Sequence, residues 1–562
     1  MSTEAMFVPD TLTYYSAPFT MWIFLISIIP ILAFIGSTLS FTTIANRKGE
    51  DKLPPTVPYV DPLLGHAFSL AWDPASFIAK ILADYGWQKP LKIYAAWIPL
   101  TMISNPTHIQ TVFRSSKYLT SKPSLLFALK YLLNTPPSII KSYARDDSGM
   151  AAKPNKGSTV EHADRIQLHQ AQTARRFLSG QHLVQTAERY VATFKRNLHA
   201  LAKVNTDDWV EFPDLYQFLQ IQITRASIET IMGSKILEMS PRLIEDFWEF
   251  DMSVPQFTRC LPRWLMPSAY RARDRLLNSI KEWHAYAHAN SDCSKTNDED
   301  PEWEPYFGSK LIRARQEYSL KTSFMNADAC ASEDLGLMMA SNSNAVTSAF
   351  WYIYESLRDT DLQKRMVSEV TSCTGPTGLD TSKLSTQPLL QSAYAEVLRL
   401  RIAIAMTRTN ESDDFRLDGY RIPKGNPLII FSRTSALNAD AWTLAGRPPT
   451  YKTPLENFYA ERFLVPKKSA ETGTEYEFSL EGTAGCWLPY GGGERMCPGR
   501  HFAKTEIIGT FASLLSQYDL ELAETDPVRV EADLRYYPTG GLPPKSKVPF
   551  RIRKKQLGGT DL

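Results

Sequence analysis

The chain has 562 residues, of which 43% are hydrophobic, as is ordinary for a globular protein with a large buried core. Its 62 Lys and Arg residues nearly balance its 60 Asp and Glu residues, so the formal net charge is only +2. No basic cluster with interleaved aromatic residues accompanies this balance, which argues against a nucleic-acid partner. No low-complexity linker or internal repeat divides the sequence, and we therefore expect one large domain rather than several.

The cysteines are few and scattered, with no C-x-x-C pair and no disulfide-type spacing. This usage is typical of a protein in a reducing compartment. The six are Cys260, Cys293, Cys330, Cys373, Cys486 and Cys497.

The N-terminal region has the composition of a membrane anchor. No charged residue occurs between Asp10 and Arg47, and the apolar run at residues 21–35 lies inside this gap. Because about 20 apolar residues cross a bilayer as a helix, we predict a single transmembrane helix at residues 18–45. A cleaved signal peptide is the competing interpretation, but its basic leader is missing and the apolar run is too long for it.

The flanking charges predict the orientation of this anchor. Arg47, Lys48 and Lys52 follow the apolar segment, whereas residues 1–17 contain no Lys or Arg. The positive-inside rule then places residues 1–17 in the lumen and the rest of the chain in the cytosol. Residues 46–66 are basic and rich in proline, so they are predicted to form a stiff hinge to a large domain at residues 67–562.

This large domain is predicted to be mainly α with a minor β region. Asp73-Pro74 provides an N-cap and a first helical residue, and Gly86 ends that helix. A short hairpin is expected to follow, with its turn at Pro99. Strand-like runs recur near the C-terminus, at residues 428–431 and 548–552.

Two histidines need separate consideration. Helical periodicity over residues 207–290 is broken at Leu261-Pro262, and His284 and His288 lie four residues apart on the second part. Such a pair can bind a metal ion, but no carboxylate or third ligand completes a site. We therefore interpret the pair as part of a solvated helix face.

The segment 335–357 is predicted to be a helix that crosses the core. Its apolar residues recur at helical spacing over a long stretch. The centre of the segment nevertheless holds small polar residues, from Ser341 to Asn344, which allow another group to approach the helix closely. Buried amides need hydrogen-bond partners or waters, so this cluster is a candidate site.

The stretch from Tyr490 to Arg500 reads Tyr-Gly-Gly-Gly-Glu-Arg-Met-Cys-Pro-Gly-Arg. It places Cys497 at the end of a glycine-rich turn and immediately before a helix predicted from His501 onward. Backbone N–H groups and the helix dipole stabilise a thiolate at such a position. A thiolate held in this way can be the axial ligand of a haem iron.

Other residues of this stretch suit the same cofactor. Gly493 and its glycine neighbours allow the backbone to approach a flat macrocycle, and Arg495 can pair with a haem propionate. Cys486 is the one rival to Cys497, but it lacks the turn and the helix. We interpret it as a buried small hydrophobic residue.

Three segments in the right order resemble the cytochrome P450 superfamily. The Cys497 stretch is similar to its haem-binding signature, F-x-x-G-x-R-x-C-x-G, with Tyr490 at the Phe position. Glu396-Val-Leu-Arg399 resembles the E-x-x-R helix, and Arg462 lies where the family has an arginine that completes a buried Glu-Arg-Arg triad. The resemblance spans residues 53 to 555. It implies the P450 fold, a haem ligated by Cys497, and a membrane-anchored, microsomal type of fungal-like pattern.

The same resemblance places the helix at 335–357 over the distal face of the haem. The family pattern there is A/G-G-x-D/E-T, whose acid and threonine deliver protons during oxygen activation. This sequence has Asn344 at the acid and Ala345 at the threonine. The usual proton route is therefore incomplete, and the expected substitute is ordered water, held by Asn342 and Asn344, or a hydroxyl of the substrate. This pattern, with the Gly540–Pro544 segment Gly-Gly-Leu-Pro-Pro, resembles the branch of sterol 7α-hydroxylases and prostacyclin synthase.

Three functions are compatible with these residues. The first is a monooxygenase that inserts one oxygen atom from O2 into a hydrophobic small molecule with NADPH-derived electrons. The second, suggested by Ala345, is a haem-thiolate isomerase or dehydratase that does not require O2. The third is a haem-binding sensor or carrier, which is disfavoured because a cofactor of this kind usually serves chemistry. Oxygen insertion leads because it is the commonest reaction in the family.

The resemblance also implies partners and further site residues. The electron donor would be NADPH–cytochrome P450 reductase, with cytochrome b5 as a second donor, at the endoplasmic reticulum membrane. Arg408 and Arg175 lie where the family has arginines near the haem propionates. The substrate pocket would use the apolar residues Ala340, Ala345, 402–405 and Leu542. Such a lining favours a terpenoid, a steroid or a polyketide of secondary metabolism.

Overall fold

The computed structural model describes residues 16–47, 49–376, 378–411, 413–467, 475–523 and 529–556. Within them the chain is mainly helical with a minor β region, as predicted. The α-helices are α1 Ser16–Asn46, α2 Ala67–Trp72, α3 Pro74–Tyr85, α4 Pro106–Arg114, α5 Lys122–Phe127, α6 Pro137–Arg145, α7 Ile166–Phe177, α8 Gly180–His199, α9 Leu215–Met232, α10 Lys235–Met239, α11 Leu243–Asp251, α12 Val254–Thr258, α13 Pro267–Asn290, α14 Lys310–Lys321, α15 Ala327–Leu357, α16 Thr360–Thr371, α17 Thr381–Leu384, α18 Pro388–Arg401, α19 Ser432–Ala436, α20 Ala439–Leu444 and α21 Arg500–Gln517.

The strands are short and belong to several small sheets. They are β1 Leu91–Ala95, β2 Ile98–Met102, β3 Leu119–Thr120, β4 Val210–Phe212, β5 Trp303–Glu304, β6 Gly308–Ser309, β7 Thr374–Gly375, β8 Gly378–Leu379, β9 Ile402–Asn410, β10 Phe415–Leu417, β11 Tyr420–Ile422, β12 Pro427–Phe431, β13 Leu464–Pro466, β14 Tyr476–Phe478, β15 Tyr518–Leu522, β16 Thr539–Gly541 and β17 Phe550–Lys554.

The chain divides into two units. The first contains the described residues up to 112, together with 117–120 and 407–430. The second contains residues 113–116, 121–406 and the described residues from 431 onward.

The first unit begins with the apolar helix α1, which covers the anchor predicted at residues 18–45 and contains Pro30. Its segment Ile28–Asn46 has a mean hydropathy of 1.9 and is long enough to cross a membrane. Residues 1–15 of the predicted lumenal segment and Lys48 of the predicted hinge lie outside the described residues. The membrane location of α1 stays a prediction.

In the first unit the structure confirms the predicted helix cap but not the predicted position of the hairpin turn. Asp73 Oδ1 accepts a hydrogen bond from Ser76 N at 3.1 Å, which confirms the predicted N-cap. The hairpin of β1 and β2 turns at Ala96, which has a φ of 54°, so the predicted turn at Pro99 was wrong. Pro99 instead lies inside β2, where β12 pairs in parallel only from Thr101 onward and needs no N–H from Pro99.

The second unit is built around α15. Every residue of this helix from Ala345 to Ser356 is buried, so the helix is enclosed on all sides. It packs against α9, α13, α18 and α21. Helix α21 is equally enclosed, because its residues 505–515 are all buried. These two helices carry or adjoin the candidate site residues.

Two small sheets of the second unit flank these helices. Strands β4, β17 and β15 form an antiparallel sheet, with Ile552 opposite Val210 and Leu520. Strand β16 pairs in antiparallel fashion with the start of β9, so that Gly541 lies opposite Ile402. The indole Nε1 of Trp351 on α15 donates to Leu542 O at 2.7 Å and fixes β16 against the central helix.

The structure corrects the interpretation of the two histidines. His284 is buried, and its Nε2 lies 2.9 Å from Asp334 Oδ2 on α15. Arg315 Nε donates to the other oxygen of Asp334 at 3.0 Å, so His284 belongs to a buried polar network, and the predicted solvated face is wrong for this residue. His288 is exposed and contacts Gln316. Among the described residues, no group of three or more His, Cys, Asp or Glu side chains could hold a metal ion.

Candidate active site

Cys497 lies in a short loop between the 3-10 turn Gly493–Arg495 and the start of α21. Its N–H donates to Tyr490 O at 3.0 Å, which closes the loop. The guanidinium of Arg500 donates to Cys497 O at 3.0 Å. The loop therefore presents one partly buried thiol at the N-terminal end of a helix that begins at Arg500, one residue before the predicted start.

Two opposing effects set the pKa of the Cys497 thiol. Burial, the larger effect, raises this pKa, whereas the N–H groups of Gly499 and Arg500 and the charge of Arg500 lower it. The predicted N–H contacts are present, but the pKa lies above its ordinary value rather than below it. A coordinated metal ion deprotonates a thiol outright. The loop thus supplies the position of the thiol, and a metal would complete the stabilisation of the thiolate.

The glycines of the loop are required by a neighbour that the sequence did not reveal. Gly493 has a φ of +71°, and a Cβ at this residue would lie 2.4 Å from Phe113 O. A Cβ at Gly492 would lie 2.3 Å from the ring of Phe113. Close approach of the loop to Phe113 is thus a reason for these glycines besides the predicted approach to a macrocycle.

Arg495 and Tyr490 are positioned by side chains from two helices. Arg495 Nη2 donates to Gln167 Oε1 on α7 at 2.5 Å, and burial lowers the pKa of Arg495. The hydroxyl of Tyr490 is hydrogen-bonded to the hydroxyl of Tyr394 on α18. Arg495 and Tyr490, which were predicted to bind the cofactor, are therefore held in place by contacts with other side chains of the protein.

Beside this loop lies the buried charge network that the sequence predicted. The Glu396 carboxylate accepts from Arg399 Nε at 2.7 Å and Nη2 at 2.8 Å, from Arg462 Nε at 3.0 Å and from Tyr459 N at 3.1 Å. The side chains of Glu396 and Arg399 are 0% exposed. Buried charges persist only when they are paired and hydrogen-bonded, so this arrangement confirms the Glu-Arg-Arg triad.

Cys486 has the role that the sequence assigned to it. Its side chain is 1% exposed and packs among Ala395, Trp442 and Phe463. Burial raises the pKa of its thiol to about 11. It is therefore a neutral, enclosed thiol and a poor candidate for a ligand.

Asn342 and Asn344 lie on different sides of α15. Asn342 is fully buried, its Nδ2 donates to Met338 O at 2.9 Å, and its Oδ1 has no hydrogen-bond partner in the described parts of the chain. Asn344 Oδ1 accepts from Gly541 N at 2.7 Å. Residues two positions apart on a helix are separated by about 200°, so the two amides point in different directions.

Ala345 is buried and offers no hydrogen-bonding group. The next hydroxyl along the helix belongs to Thr347, whose Oγ1 donates to Ser343 O at 2.9 Å and lies 3.0 Å from Tyr216 OH. Thr347 therefore faces away from Ala345 and does not replace the missing hydroxyl.

The two remaining predicted arginines, Arg175 and Arg408, lie on α7 and on β9. Arg175 is exposed in the last turn of α7, and it is Gln167 on this helix that contacts Arg495. Arg408 belongs to the first unit, where it is buried and its Nη1 donates to Thr407 O at 2.8 Å. Their roles toward haem propionates stay predictions.

A cavity of about 640 Å³ extends along the face of α15 that carries Ala340 and Asn344. The predicted apolar residues Ala345 and Leu542 do not line it in the part of the chain that the structure describes. The cavity instead has Ser343 of the predicted polar cluster, Thr347 on the same helix, and polar side chains that the sequence analysis missed because they come from other elements: Tyr216, Gln220 and Asp251.

Comparison with known proteins decides the family. The cytochrome P450 family model matches residues 55–545. The chain belongs to the cytochrome P450 family. It is 33% identical over 540 residues to the cytochrome P450 monooxygenase efuG of Hormonema carpetanum, covering 91% of this chain and 92% of that relative. It is 33% identical over 535 residues to the cytochrome P450 monooxygenase fsoE of Humicola fuscoatra, covering 91% and 89%. It is 24% identical over 539 residues to the cholesterol 7-alpha-monooxygenase of Cricetulus griseus, covering 91% and 95%.

Membership establishes the P450 fold, a haem bound through a cysteine thiolate, and an oxidoreductase of the monooxygenase type. The residues of this P450 fit such a cofactor. Cys497 is a partly buried thiol held by backbone contacts at a helix start, whereas Cys486 is enclosed by side chains. The loop glycines and the half-buried arginine Arg495 complete a donor set of the kind that a flat, anionic macrocycle requires.

The first prediction concerns the ligand. We expect Cys497→Ser to abolish the absorption band that a thiolate-ligated haem shows in its reduced carbon-monoxide adduct. Cys486→Ser should keep the band, because Cys486 lies inside a hydrophobic cluster. Spectra of both variants, at matched protein concentration, measure this. A band that survives Cys497→Ser and disappears in Cys486→Ser would contradict the assignment.

The second prediction concerns the triad. Arg399→Ala leaves the buried Glu396 carboxylate without its main partner, which should cost about 3–5 kcal/mol of unfolding free energy and prevent haem retention. A matched control is Arg365→Ala, which removes an arginine that is 45% exposed and pairs with Glu461 at the surface. That change should cost about 0–1 kcal/mol. Thermal unfolding and the haem-to-protein ratio measure both, and equal effects of the two changes would disprove the role of burial.

Proposed function

We propose that this P450 inserts one oxygen atom from O2 into a hydrophobic small molecule, using electrons from NADPH. NADPH–cytochrome P450 reductase would deliver the electrons, with cytochrome b5 as a second donor. The observation that carries the proposal is the position of the Cys497 thiol at the start of α21. Similarity to three proteins named as monooxygenases supports oxygen insertion. The substrate class would be a terpenoid, a steroid or a polyketide of secondary metabolism.

The bound haem would supply the activation of oxygen, and the side chains of this chain would position it. Cys497 would hold the iron, and Arg495, kept in place by Gln167, would pair with a propionate. Gly493 and Tyr490 would shape the loop around the ligand. Arg408 and Arg175 are the further arginines that we assign to the propionates.

The proton route is the part of this P450 that departs from the family pattern. Ala345 has no hydroxyl, and Asn344 cannot release a proton as an acid would. We assign Asn342 and Asn344 to the positioning of separate waters. Asn342 Oδ1 is buried and has no partner in the described chain, so it can accept from one water. Asn344 uses Oδ1 for Gly541 N, which leaves its NH2 group to donate to another.

The second candidate function is an isomerase or a dehydratase that needs no O2, and Ala345 is the observation that favours it. The two functions differ in their requirement for co-substrates. A monooxygenase turns over only with O2 and NADPH, whereas an isomerase or dehydratase works without either. Turnover under strict anaerobiosis therefore decides between them.

The third prediction uses substitutions of Ala345 to test whether the enzyme inserts oxygen. Ala345→Thr restores a hydroxyl and should reduce the fraction of NADPH that is lost to hydrogen peroxide. Ala345→Val is the matched control, because it adds the same volume without the hydroxyl and should only cost about 1–3 kcal/mol of stability through overpacking. The ratio of product to NADPH consumed measures the effect.

Two outcomes would contradict this prediction. Equal coupling in the Thr and Val variants would show that the hydroxyl is irrelevant. Product formed at full rate without O2 and NADPH would disprove oxygen insertion and leave the isomerase or dehydratase.

We also propose that this P450 is a single-pass protein of the endoplasmic reticulum membrane. Residues 1–17 would be lumenal, 18–45 the anchor, 46–66 the hinge, and 67–562 the cytosolic haem-thiolate domain. The length and hydropathy of α1 support the anchor, and Arg47 and Lys52 after it support the orientation.

The fourth prediction tests that orientation. Protease added to intact microsomes should digest the haem-thiolate domain, because it faces the cytosol, and should spare only a short fragment that contains the anchor. Immunoblots with a tag at each terminus measure this, and detergent-treated microsomes are the control. Full protection of the domain without detergent would refute the orientation and with it the reductase partnership.

A further inference from the structure

The cavity beside α15 has the dimensions of a ligand site. Its volume of about 640 Å³ lies within the range of about 300–1,000 Å³ that small-molecule sites occupy. One stripe of α15 forms its floor, with Gly336, Ala340, Ser343 and Thr347 at the spacing that puts side chains on one helix face. A larger groove of about 1370 Å³ beside β15 and β17 contains none of the predicted site residues.

The walls of this cavity differ in polarity. One wall is apolar and consists of Ala128, Leu132, Leu133 and Met339. Another is polar and consists of side chains from α9 and from the end of α11. Further charged side chains, among them Asp533, Arg535 and Lys545, line the cavity. A ligand that lies between the two walls would therefore place an apolar part against the first wall and a polar group against the second.

The polar wall centres on Asp251. The hydroxyl of Ser343 donates to Asp251 Oδ1 and holds this carboxylate against α15. No hydrogen bond to Asp251 Oδ2 exists among the described residues, although an ionised carboxylate can accept about four. Burial raises the pKa of Asp251 to about 6, with the Ser343 hydrogen bond opposing, so the group is still mainly ionised at neutral pH.

Gln220, on the same wall, also has unused hydrogen-bonding capacity. Gln220 is 8% exposed, and its Nε2 has no partner in the described chain. Nearby, Tyr216 and Thr347 are hydrogen-bonded to one another. Buried polar groups without partners are uncommon in native structures. Gln220 Nε2, together with the unused oxygen of the half-buried Asp251 on the same wall, favours a polar ligand group between them.

We propose that this cavity binds the hydroxyl end of an otherwise apolar substrate, with Asp251 Oδ2 accepting the hydrogen bond of a substrate hydroxyl and Ser343 positioning the carboxylate. The substrate class of this P450 is then an alcohol of terpenoid or steroid size rather than a plain hydrocarbon. This inference rests on the proposed function, because it concerns the substrate of that reaction. Gln220 Nε2 would donate to the oxygen of the same hydroxyl.

Three related probes test the hydroxyl directly. Cholesterol carries a hydroxyl, cholesteryl methyl ether keeps the oxygen but cannot donate, and cholest-5-ene lacks both. We would titrate each, from a fixed cyclodextrin concentration, into the full-length, haem-loaded protein in detergent and measure Kd by calorimetry. A hydrogen bond to a charged group should make cholesterol bind about tenfold or more tightly than the other two.

Variants identify the group that is responsible. Asp251→Asn should weaken cholesterol binding about tenfold and leave cholest-5-ene unchanged. Asp533→Asn is the matched control, because Asp533 lines the same cavity but both its oxygens are bound by Arg535. It should leave all three values unchanged. Ser343→Ala should reduce the preference for cholesterol less than Asp251→Asn does.

Binding is measured without NADPH, reductase or turnover. A negative result in the binding experiment is therefore distinct from a failure of the proposed oxygen insertion. Equal Kd values for cholesterol and cholest-5-ene in the unchanged protein would overturn the inference. So would an Asp251→Asn variant that weakens both ligands equally, or the absence of binding by all three probes. A preference that Asp251→Asn removes would uphold it even if oxygen insertion were disproved.

Discussion

The position of Cys497 depends on a carboxylate that it does not contact. Glu396 is fully buried, and its charge is tolerated because Arg399, Arg462 and Tyr459 N donate to it. These hydrogen bonds fix α18 to the segment that carries Tyr459 and Arg462. An unpaired charge at Glu396 would therefore move α18 as a whole.

Helix α18 also contacts the segment that leads to the Cys497 loop. Ala395 O accepts from Trp487 Nε1 at 2.9 Å, and the hydroxyl of Tyr394 is hydrogen-bonded to that of Tyr490. Tyr490 O in turn accepts from the N–H of Cys497. Hydrogen bonds at both ends of this path, joined by the backbone of α18 and by Tyr490 itself, thus connect the buried carboxylate to the cysteine. This connection explains why a change at Arg399 should be detected as loss of haem.

Sequence reasoning was accurate where the signal is local. The cap at Asp73, the helix after Cys497 and the i, i+3 pairing of Glu396 with Arg399 each depend on residues within a few positions. It failed where the partner is distant in sequence. The buried His284 pairs with Asp334, which lies 50 positions later in the sequence. The loop glycines contact Phe113, which lies several hundred positions earlier. No periodicity or motif signals such contacts.

The same limit explains the difference between the expected and the observed pocket. Family resemblance directs attention to the helix that carries Ala345, where an apolar lining was expected. Asp251 reaches Ser343 on that helix from the end of α11, 92 positions earlier. Asp251 contributes to the cavity only because the fold brings the end of α11 against α15. The polar wall could therefore not be inferred from the pattern on α15.

The geometry of α15 places the substrate hydroxyl and Ala345 on different faces of the helix. Ser343 and Ala345 are two residues apart and hence about 200° apart around the helix, with Asn344 between them. A hydroxyl bound at Asp251 therefore lies on a different face from Ala345, and it cannot stand in for the missing threonine. If the substrate is held by its hydroxyl at Asp251, the proton for oxygen chemistry must come through water. Asn344 lines the same cavity as Asp251 and would hold that water beside the substrate, whereas Asn342 would hold it on another side of the helix. The enzyme would then lose its preference for substrates with a hydroxyl with Asp251→Asn, whereas Ala345→Thr would improve the coupling of NADPH consumption to product.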